Sequence, residues 1–120
     1  MKIKTHAIYR IVIFLPIGDT FITTHDFLEK LNKAVPTSYG NYDSVAYYAA
    51  GTERFRPLDG ASPTSGTIGQ VTELPSTRIE ISIPRNEDLL ENTMQVIMRL
   101  HPWEKPVLQI YEAIETIEKE

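Results

Sequence analysis

The amino-acid sequence predicts an α+β domain with the element order strand, helix, strand, strand, helix, strand. Three observations support this prediction. Isoleucine-rich segments near residues 11 and 80 have strand periodicity, two amphipathic segments follow capping residues, and Gly, Pro and Ser concentrate between the second and third strands. A chain of 120 residues suits one compact domain, and the sequence shows no internal repeat or linker.

The first predicted strand includes the apolar run Ile11–Ile17. A strand that is apolar on both faces usually lies in the centre of a sheet. The run is too short to cross a bilayer, and Arg10 argues against a signal peptide. One face carries Tyr9, Ile11, Ile13 and Leu15, and the other carries Ile8, Val12 and Phe14.

The first predicted helix begins at Thr23 or Thr24. Asp26 lies three residues after Thr23, as in a capping box, and Pro36 ends the helix. Its apolar face contains Phe27, Leu28, Leu31, Ala34 and Val35.

The second predicted helix follows Asn86, which can cap its first turn. Glu87 and Asp88 are favourable near a helix N-terminus, and Pro102 ends the helix. One apolar stripe contains Leu90, Met94, Ile97, Met98 and His101.

The remaining strands are predicted from bulky residues and alternation. The second begins near Tyr42 and continues through Phe55, and the third spans Thr77–Pro84, where isoleucines alternate with polar residues. The fourth spans Val107–Tyr111, and Glu112–Glu120 is predicted to be a short C-terminal helix or tail with a solvated acidic face.

These elements form two βαβ units, which is the ferredoxin-like split βαβ arrangement (βαββαβ). It has an antiparallel sheet with both helices on one face, and the long loop Leu58–Pro75 joins strands 2 and 3. The uncovered sheet face is predicted to expose Tyr9, Tyr47 and isoleucines. Such apolar surface favours association through the sheets.

Composition narrows the classes of partner. The net charge of −4 and the pI of about 5.4 argue against nucleic acid as the main partner. The absence of Cys excludes disulfides, thiolate metal sites and Cys nucleophiles, and it fits a cytoplasmic protein. We therefore expect neither a nucleic-acid nor a membrane partner.

Three motifs, taken together, resemble a known family. G-N-Y-D at Gly40–Asp43, G-T-E-R-F-R-P-L-D-G-A-S-P at Gly51–Pro63 and H-P-W-E-K-P at His101–Pro106 match the order and approximate spacing of one pattern. It is the PII-like (CutA-like) domain inserted into the Nif-three family, also called YqfO or GTP cyclohydrolase I type 2 homologues. The resemblance covers roughly Ile8–Tyr111.

The resemblance implies a single PII-like or CutA-like domain over residues 1–120, of a type that commonly forms trimers through its sheets. In full-length members, dinuclear-metal domains flank the insert, and their ligands have no counterpart in this chain. The resemblance therefore implies a freestanding version of the insert. PII-like proteins carry a regulatory loop between strands 2 and 3.

Several residues depart from the family pattern. Ser44-Val45 stands where Cys often occurs, Glu53 replaces a usual Gly, and Gln109 replaces an Asp. Trp103 and Lys105 replace Tyr and Glu in the H-P-Y-E-E-P motif. These differences weaken the case for metal or thiol chemistry and leave the predicted fold unchanged.

The turn after the second helix contains a candidate metal site. His101 and Glu104, separated by a rigid Pro turn, can coordinate a divalent cation or orient a ligand. The alternative is that His101 and Pro102 only end the helix while Trp103 packs against the sheet or a neighbouring subunit.

A second candidate site is a cluster of guanidinium groups. Arg54 and Arg56 point the same way if the strand continues, and paired guanidinium groups suit phosphate or carboxylate recognition. Arg78 and Glu80 complete this predicted ligand site. The alternative is that Arg78 and Glu80 form ion pairs on a polar sheet face.

The long loop contains the third candidate site. Thr64, Ser65 and Gly66 can hold an anion through backbone amides, although no P-loop motif is present. The alternative is that the loop only clasps the next subunit.

From these observations the sequence predicts a non-enzymatic PII/CutA-like binding or regulatory module. It is expected to be a homotrimer with a small anion or a divalent metal ion in its inter-subunit clefts. Two alternatives stay open: a small hydrolase acting on a phosphorylated or carboxylated substrate through His101, Glu104 and an Arg, and an adaptor that binds another protein.

Overall fold

The structure is a computed structural model, and it describes residues 1–119. The elements are β1 (Ile3–Pro16), α1 (Thr24–Ala34), β2 (Tyr47–Phe55), β3 (Thr72–Pro84), α2 (Glu87–Leu100) and β4 (Leu108–Lys119). The four strands form one antiparallel sheet in the order β2-β3-β1-β4. This arrangement confirms the predicted ferredoxin-like βαββαβ fold.

The core lies between the helices and one face of the sheet. Ile11, Ile13 and Leu15 of the central strand β1 are fully buried there, as the alternation in the sequence predicts. Phe27 and Leu31 of α1 belong to the same apolar cluster, and so do Val96 and Ile97 of α2. Both helices therefore pack on one face, as predicted.

The opposite face matches the prediction of an apolar surface only in part: Tyr47, which pairs with Glu80 on that face, is 61% exposed as predicted. The centre of this face is polar: Arg10 donates to the Ser82 hydroxyl at 2.9 Å, and Glu80 lies 3.5 Å from both Arg10 Nε and Arg78 Nε. Tyr9 belongs to the helix-covered core instead, with only 7% of its surface exposed.

Both edge strands expose apolar side chains. On β2 they are Tyr47 and Tyr48, and on β4 they are Ile110, Tyr111, Ile114 and Ile117. Beyond the Ile8–Pro84 pair, β1 has no further partner in β3. Apart from the Arg85 amide, which donates to the Ala7 carbonyl at 3.2 Å, residues 3–7 pair with residues 114–119 as a two-stranded ribbon. This ribbon contributes to the 55 Å long dimension of the chain.

Both predicted helix caps are confirmed. The Thr23 hydroxyl accepts a hydrogen bond from the Asp26 amide at 3.0 Å, and the Asn86 carboxamide oxygen accepts one from the Leu89 amide at 2.9 Å. Each bond satisfies an N–H group that has no partner within the helix.

The predicted apolar stripe of α2 is only partly correct. Ile97 is buried, but Met98 is 48% exposed, and Thr93 and Val96 take the inward positions instead. Thr93 tolerates burial because its hydroxyl donates to the Leu89 carbonyl at 2.7 Å.

The second strand starts later than predicted. Ser44 has a φ of 58°, in the left-handed region, and this interrupts the extended chain after Tyr42. Tyr39 and Tyr42 form an isolated bridge, and the regular strand begins only at Tyr47.

The third and fourth strands are longer than predicted. β3 begins at Thr72, so the intervening loop comprises residues 56–71 and Pro75 lies inside the strand. The predicted C-terminal helix or tail is wrong, because residues 112–119 continue β4. Glu120, which the sequence analysis placed in that tail, lies outside the described residues. Among residues 1–119, no helix is long and apolar enough to span a bilayer.

Candidate functional site

A cleft of about 560 Å³ opens where β2, the 56–71 loop and the turn after α2 meet. We call it the loop–turn cleft. Its apolar wall consists mainly of aromatic and proline side chains, and charged residues surround that wall. The lining comprises Phe14, Thr52, Glu53, Arg54, Phe55, Arg56, Pro57, Ala61, Pro63, Thr64, Ser65, Trp103, Glu104, Lys105 and Val107.

His101 anchors the turn that forms one wall. The His101 amide donates to the Ile97 carbonyl at 3.0 Å and closes the last turn of α2, as the helix-stop alternative predicts. Its ring is buried and bridges two residues of the cleft. Nδ1 accepts the Trp103 amide at 3.1 Å, so Nε2 carries the proton and donates to the Phe14 carbonyl at 2.6 Å.

This environment changes the acid–base behaviour of His101. Burial lowers the pKa of the imidazole below 6.5, while the Phe14 carbonyl and the charge of Glu53 act in the opposite direction. Both ring nitrogens already have partners. His101 therefore holds the turn in place as a neutral imidazole.

Trp103 forms the centre of the apolar wall. Its ring makes edge contacts with Phe21 and Phe55, at centroid distances of 5.5 and 5.8 Å. Its indole N–H donates to Glu53 Oε1 at 3.4 Å. These contacts, together with the His101 bond to its backbone, hold the indole against the end of β2.

Two hydrogen bonds fasten the long loop to the turn of its own chain. The Ser62 amide donates to Glu104 Oε2, and the Thr64 hydroxyl donates to the Pro102 carbonyl, each at 3.0 Å. Gly66 lies against the start of β3 with a φ of 91°, where an added Cβ would come within 2.7 Å of Thr72 Oγ1. The loop is thus held in place by these contacts and forms one wall of the cleft.

The charged groups of the cleft are unevenly paired. Arg54 forms an exposed ion pair with Glu73 at 3.4 Å. Within the described chain, Arg56 and Lys105 make no hydrogen bond or ion pair. Glu53 Oε2 is buried and likewise finds no hydrogen-bond partner among the described residues.

The structure brings part of the predicted site together. Arg54, Arg56, Thr64, Ser65 and Glu104 all line the loop–turn cleft.

The other predicted residues lie elsewhere. Gly66 packs on Phe55, and His101 lies behind the lining, held by Phe14 and Trp103. Arg78 and Glu80 pair with each other on the open sheet face, as the ion-pair alternative predicts.

The predicted metal site has no geometric support. His101 has no free ring nitrogen, and Glu104 Oε2 accepts the Ser62 amide. Among the side chains that the structure describes, no group of three or more His, Asp or Glu residues is arranged to hold a metal ion. A metal ion at His101 and Glu104 would require the turn to rearrange.

Sequence reasoning did not assign Glu53, Phe14 or Lys105 to a binding site. Glu53 and Lys105 had a visible signal, since both depart from the family pattern. Phe14 had none, because its role depends on where the turn after α2 crosses the end of β1.

Comparison with known proteins supports a relation to the Nif-three family. No family model matches the chain. A GTP cyclohydrolase 1 type 2 homolog of Staphylococcus epidermidis is 31% identical over 99 residues, which cover 82% of this chain and 25% of the relative. A protein of the same description from Bacillus subtilis is 27% identical over 110 residues, covering 78% of this chain and 29% of its own length.

A solved structure supports the fold. The crystal structure of a Bacillus cereus protein related to NIF3 matches with a TM-score of 0.73, over 96% of this chain and 28% of that one. Its sequence identity of 23% makes this a likeness of fold alone. The chain thus spans about a quarter of the length of the relatives it matches.

Proposed function

We propose that this chain is a non-enzymatic PII-like or CutA-like binding module that holds a small anion in the loop–turn cleft. The observation that carries the proposal is the pair of cationic side chains, Arg56 and Lys105, that line the cleft without a partner among the described residues. Guanidinium and ammonium groups form strong charge-assisted hydrogen bonds with carboxylate or phosphate oxygens. The adjoining aromatic wall lowers the local polarity and strengthens such bonds.

The geometry supports binding better than hydrolysis. A hydrolase based on His101 would need an imidazole nitrogen free to take a proton from water or substrate. Here Nδ1 accepts the Trp103 amide and Nε2 donates to the Phe14 carbonyl. The same engagement favours an anion over a divalent cation as the ligand.

We further propose that the module assembles as a trimer through its edge strands. Ile3, Ile114 and Ile117 of the two-stranded ribbon are 50%, 70% and 45% exposed. A two-stranded ribbon with exposed apolar side chains is only marginally stable alone, so a neighbouring subunit that covers it would stabilise it. Because β2 is an edge strand and its end lines the cleft, a subunit paired with β2 would border the ligand.

Tryptophan fluorescence provides a direct test of anion binding. Trp103 is the only Trp in the chain and lines the cleft, so its emission reports occupancy. We expect saturable binding of inorganic phosphate or 3-phenylpropionate. A double variant, Arg56→Met with Lys105→Met, should bind the same probe at least about 100-fold more weakly, because each of the two lost ionic bonds contributes roughly 1.5–3 kcal/mol.

Lys30→Met is the matched control, because Lys30 is an exposed cation on α1 outside the cleft. It should bind like the unmodified protein. Equal affinity in the double variant, or no response to any anionic probe, would contradict the proposal.

Light scattering after size-exclusion chromatography tests the assembly. We expect three times the chain mass of 13.7 kDa. A protein that stays monomeric at micromolar concentration would exclude the trimer without affecting the proposed ligand site.

A further inference from the structure

The cleft contains chemistry that a simple anion leaves unused. Resting on the proposed function, we infer that its ligand is a zwitterion of amino-acid size with a carboxylate, a protonated amine and an apolar, aromatic body. The carboxylate would bind Arg56 and Lys105, the body would lie on the aromatic wall, and the amine would bind Glu53. Each part follows from a separate feature of the lining.

The Glu53 carboxylate points to the amine. Oε2 has no donor within the described residues although it is shielded from solvent, and Oε1 receives only the long 3.4 Å bond from the Trp103 indole. A buried carboxylate oxygen without a donor is costly, and such groups in native proteins usually have a partner. A protonated amine on the ligand would supply both the missing hydrogen bond and the opposite charge.

The apolar wall points to the ligand body. Phe14, Phe55 and Trp103 line the cleft together with two prolines, and Trp103 meets the Phe55 ring edge to face. A volume of about 560 Å³ is typical of pockets that take small molecules. Aromatic groups gain both from burial and from edge or offset contacts with such rings.

The mixture of charges favours a zwitterion over ligands with a single charge. A plain polyanion would meet Arg56 and Lys105 favourably but would be repelled by Glu53 and Glu104. A plain cation would be attracted by Glu53 and Glu104 but repelled by Arg56 and Lys105. A zwitterion with separated charges satisfies both sets.

Three small molecules separate these contributions. L-phenylalanine has all three groups, 3-phenylpropionate lacks the amine, and phenethylamine lacks the carboxylate. We expect L-phenylalanine to bind about tenfold more tightly than either analogue in the Trp103 fluorescence titration, because each analogue loses one charge-assisted hydrogen bond.

Glu53→Gln tests the assignment of the amine site. It keeps the size and an oxygen acceptor for the Trp103 indole but removes the charge. The preference for L-phenylalanine over 3-phenylpropionate should fall to near one, while 3-phenylpropionate itself binds at least as well as before. Glu91→Gln, an exposed carboxylate on α2 outside the cleft, should keep the full preference.

The outcomes distinguish this inference from the proposed function. If 3-phenylpropionate or phosphate binds as tightly as L-phenylalanine, the zwitterion is excluded and the anion site stands. A preference that survives in Glu53→Gln also overturns the inference. If none of the four compounds binds, both the inference and the proposed function fail. Thermal unfolding of each variant verifies that the fold is retained.

Discussion

Replacement of His101 by Ala provides a quantitative test of how the cleft is built. The change removes a hydrogen bond to the Phe14 carbonyl at 2.6 Å and one from the Trp103 amide at 3.1 Å. Each of the two protein groups left without a partner costs roughly 1–3 kcal/mol, so the total loss should be about 2–6 kcal/mol. The ring is also buried, which makes the upper half of this range more realistic.

Urea denaturation followed by Trp103 fluorescence measures this loss. The titration is run above pH 7, where His101 is neutral, and at constant protein concentration. With a slope of about 2 kcal/mol per M, the midpoint should fall by roughly 1–3 M. His101→Ala should also weaken binding of the anionic probe, because Trp103 and Phe14 line the cleft.

His25→Ala is the matched control for that experiment. His25 lies on the exposed side of α1, where its Nε2 is 3.7 Å from the Glu29 carboxylate. Exposed pairs of this kind contribute little, so its loss should stay within about 0.5 kcal/mol. A loss below about 1 kcal/mol in His101→Ala would refute the idea that this side chain holds the turn.

Three further predictions concern stability. Burial lowers the pKa of His101, so the unfolded chain binds a proton at this residue more readily than the folded chain does. The stabilisation from neutral His101 is therefore complete above about pH 6.5 and is lost as the pH falls toward the lowered pKa. Urea midpoints of the unmodified protein should decline more steeply from about pH 7 to pH 5 than those of His101→Ala. Gly66→Ala should cost about 1–3 kcal/mol, since φ is 91° and the new Cβ meets Thr72, whereas Gly69→Ala at a φ of 81° has no close neighbour and should cost less in the same assay. Asn86→Ala should lower thermal stability by about 1 kcal/mol through loss of the α2 cap, and an unchanged melting temperature would contradict the capping role.

Local signals explain why the fold was predictable. The alternation of Ile79, Ile81 and Ile83 with polar residues requires a half-buried strand, and all three are buried against the helices. Thr23 and Asn86 act through hydrogen bonds to amides three residues away, so their sequence neighbours suffice to identify them. The element order then leaves few ways to cover one face of the sheet.

The C-terminal segment shows where local signals fail. Residues 110–119 contain apolar positions three or four apart among glutamates, which is typical of an amphipathic helix. Instead, Ile114 pairs with Ala7, Ala113 pairs with Ile8, and the ladder continues to Ile3. The first residues of β1 have no partner in β3, and pairing with β4 supplies their hydrogen bonds; this gain outweighs helix propensity.

The functional residues were only partly visible for a similar reason. Arg56 and Glu104 carry charges that suggest binding whatever the fold, and both line the cleft. Arg78 carries the same charge, but its place in β3 directs it to Glu80 on the open face. His101 has the chemistry of a ligand or a base, yet the Phe14 carbonyl of β1 and the Trp103 amide of its own turn occupy both ring nitrogens.

The sequence by itself determined the strand and helix order, the two caps and the central position of β1, because periodicity and capping depend on neighbours within a few residues. Only the tertiary structure decided that residues 112–119 extend the sheet, that the 56–71 loop is fastened to the turn after α2, and that Glu53 shares a cleft with Arg56 and Lys105. These facts depend on backbone and side-chain partners separated by tens of residues. Their energies are set by burial and hydrogen bonding in the folded chain, which no local pattern records.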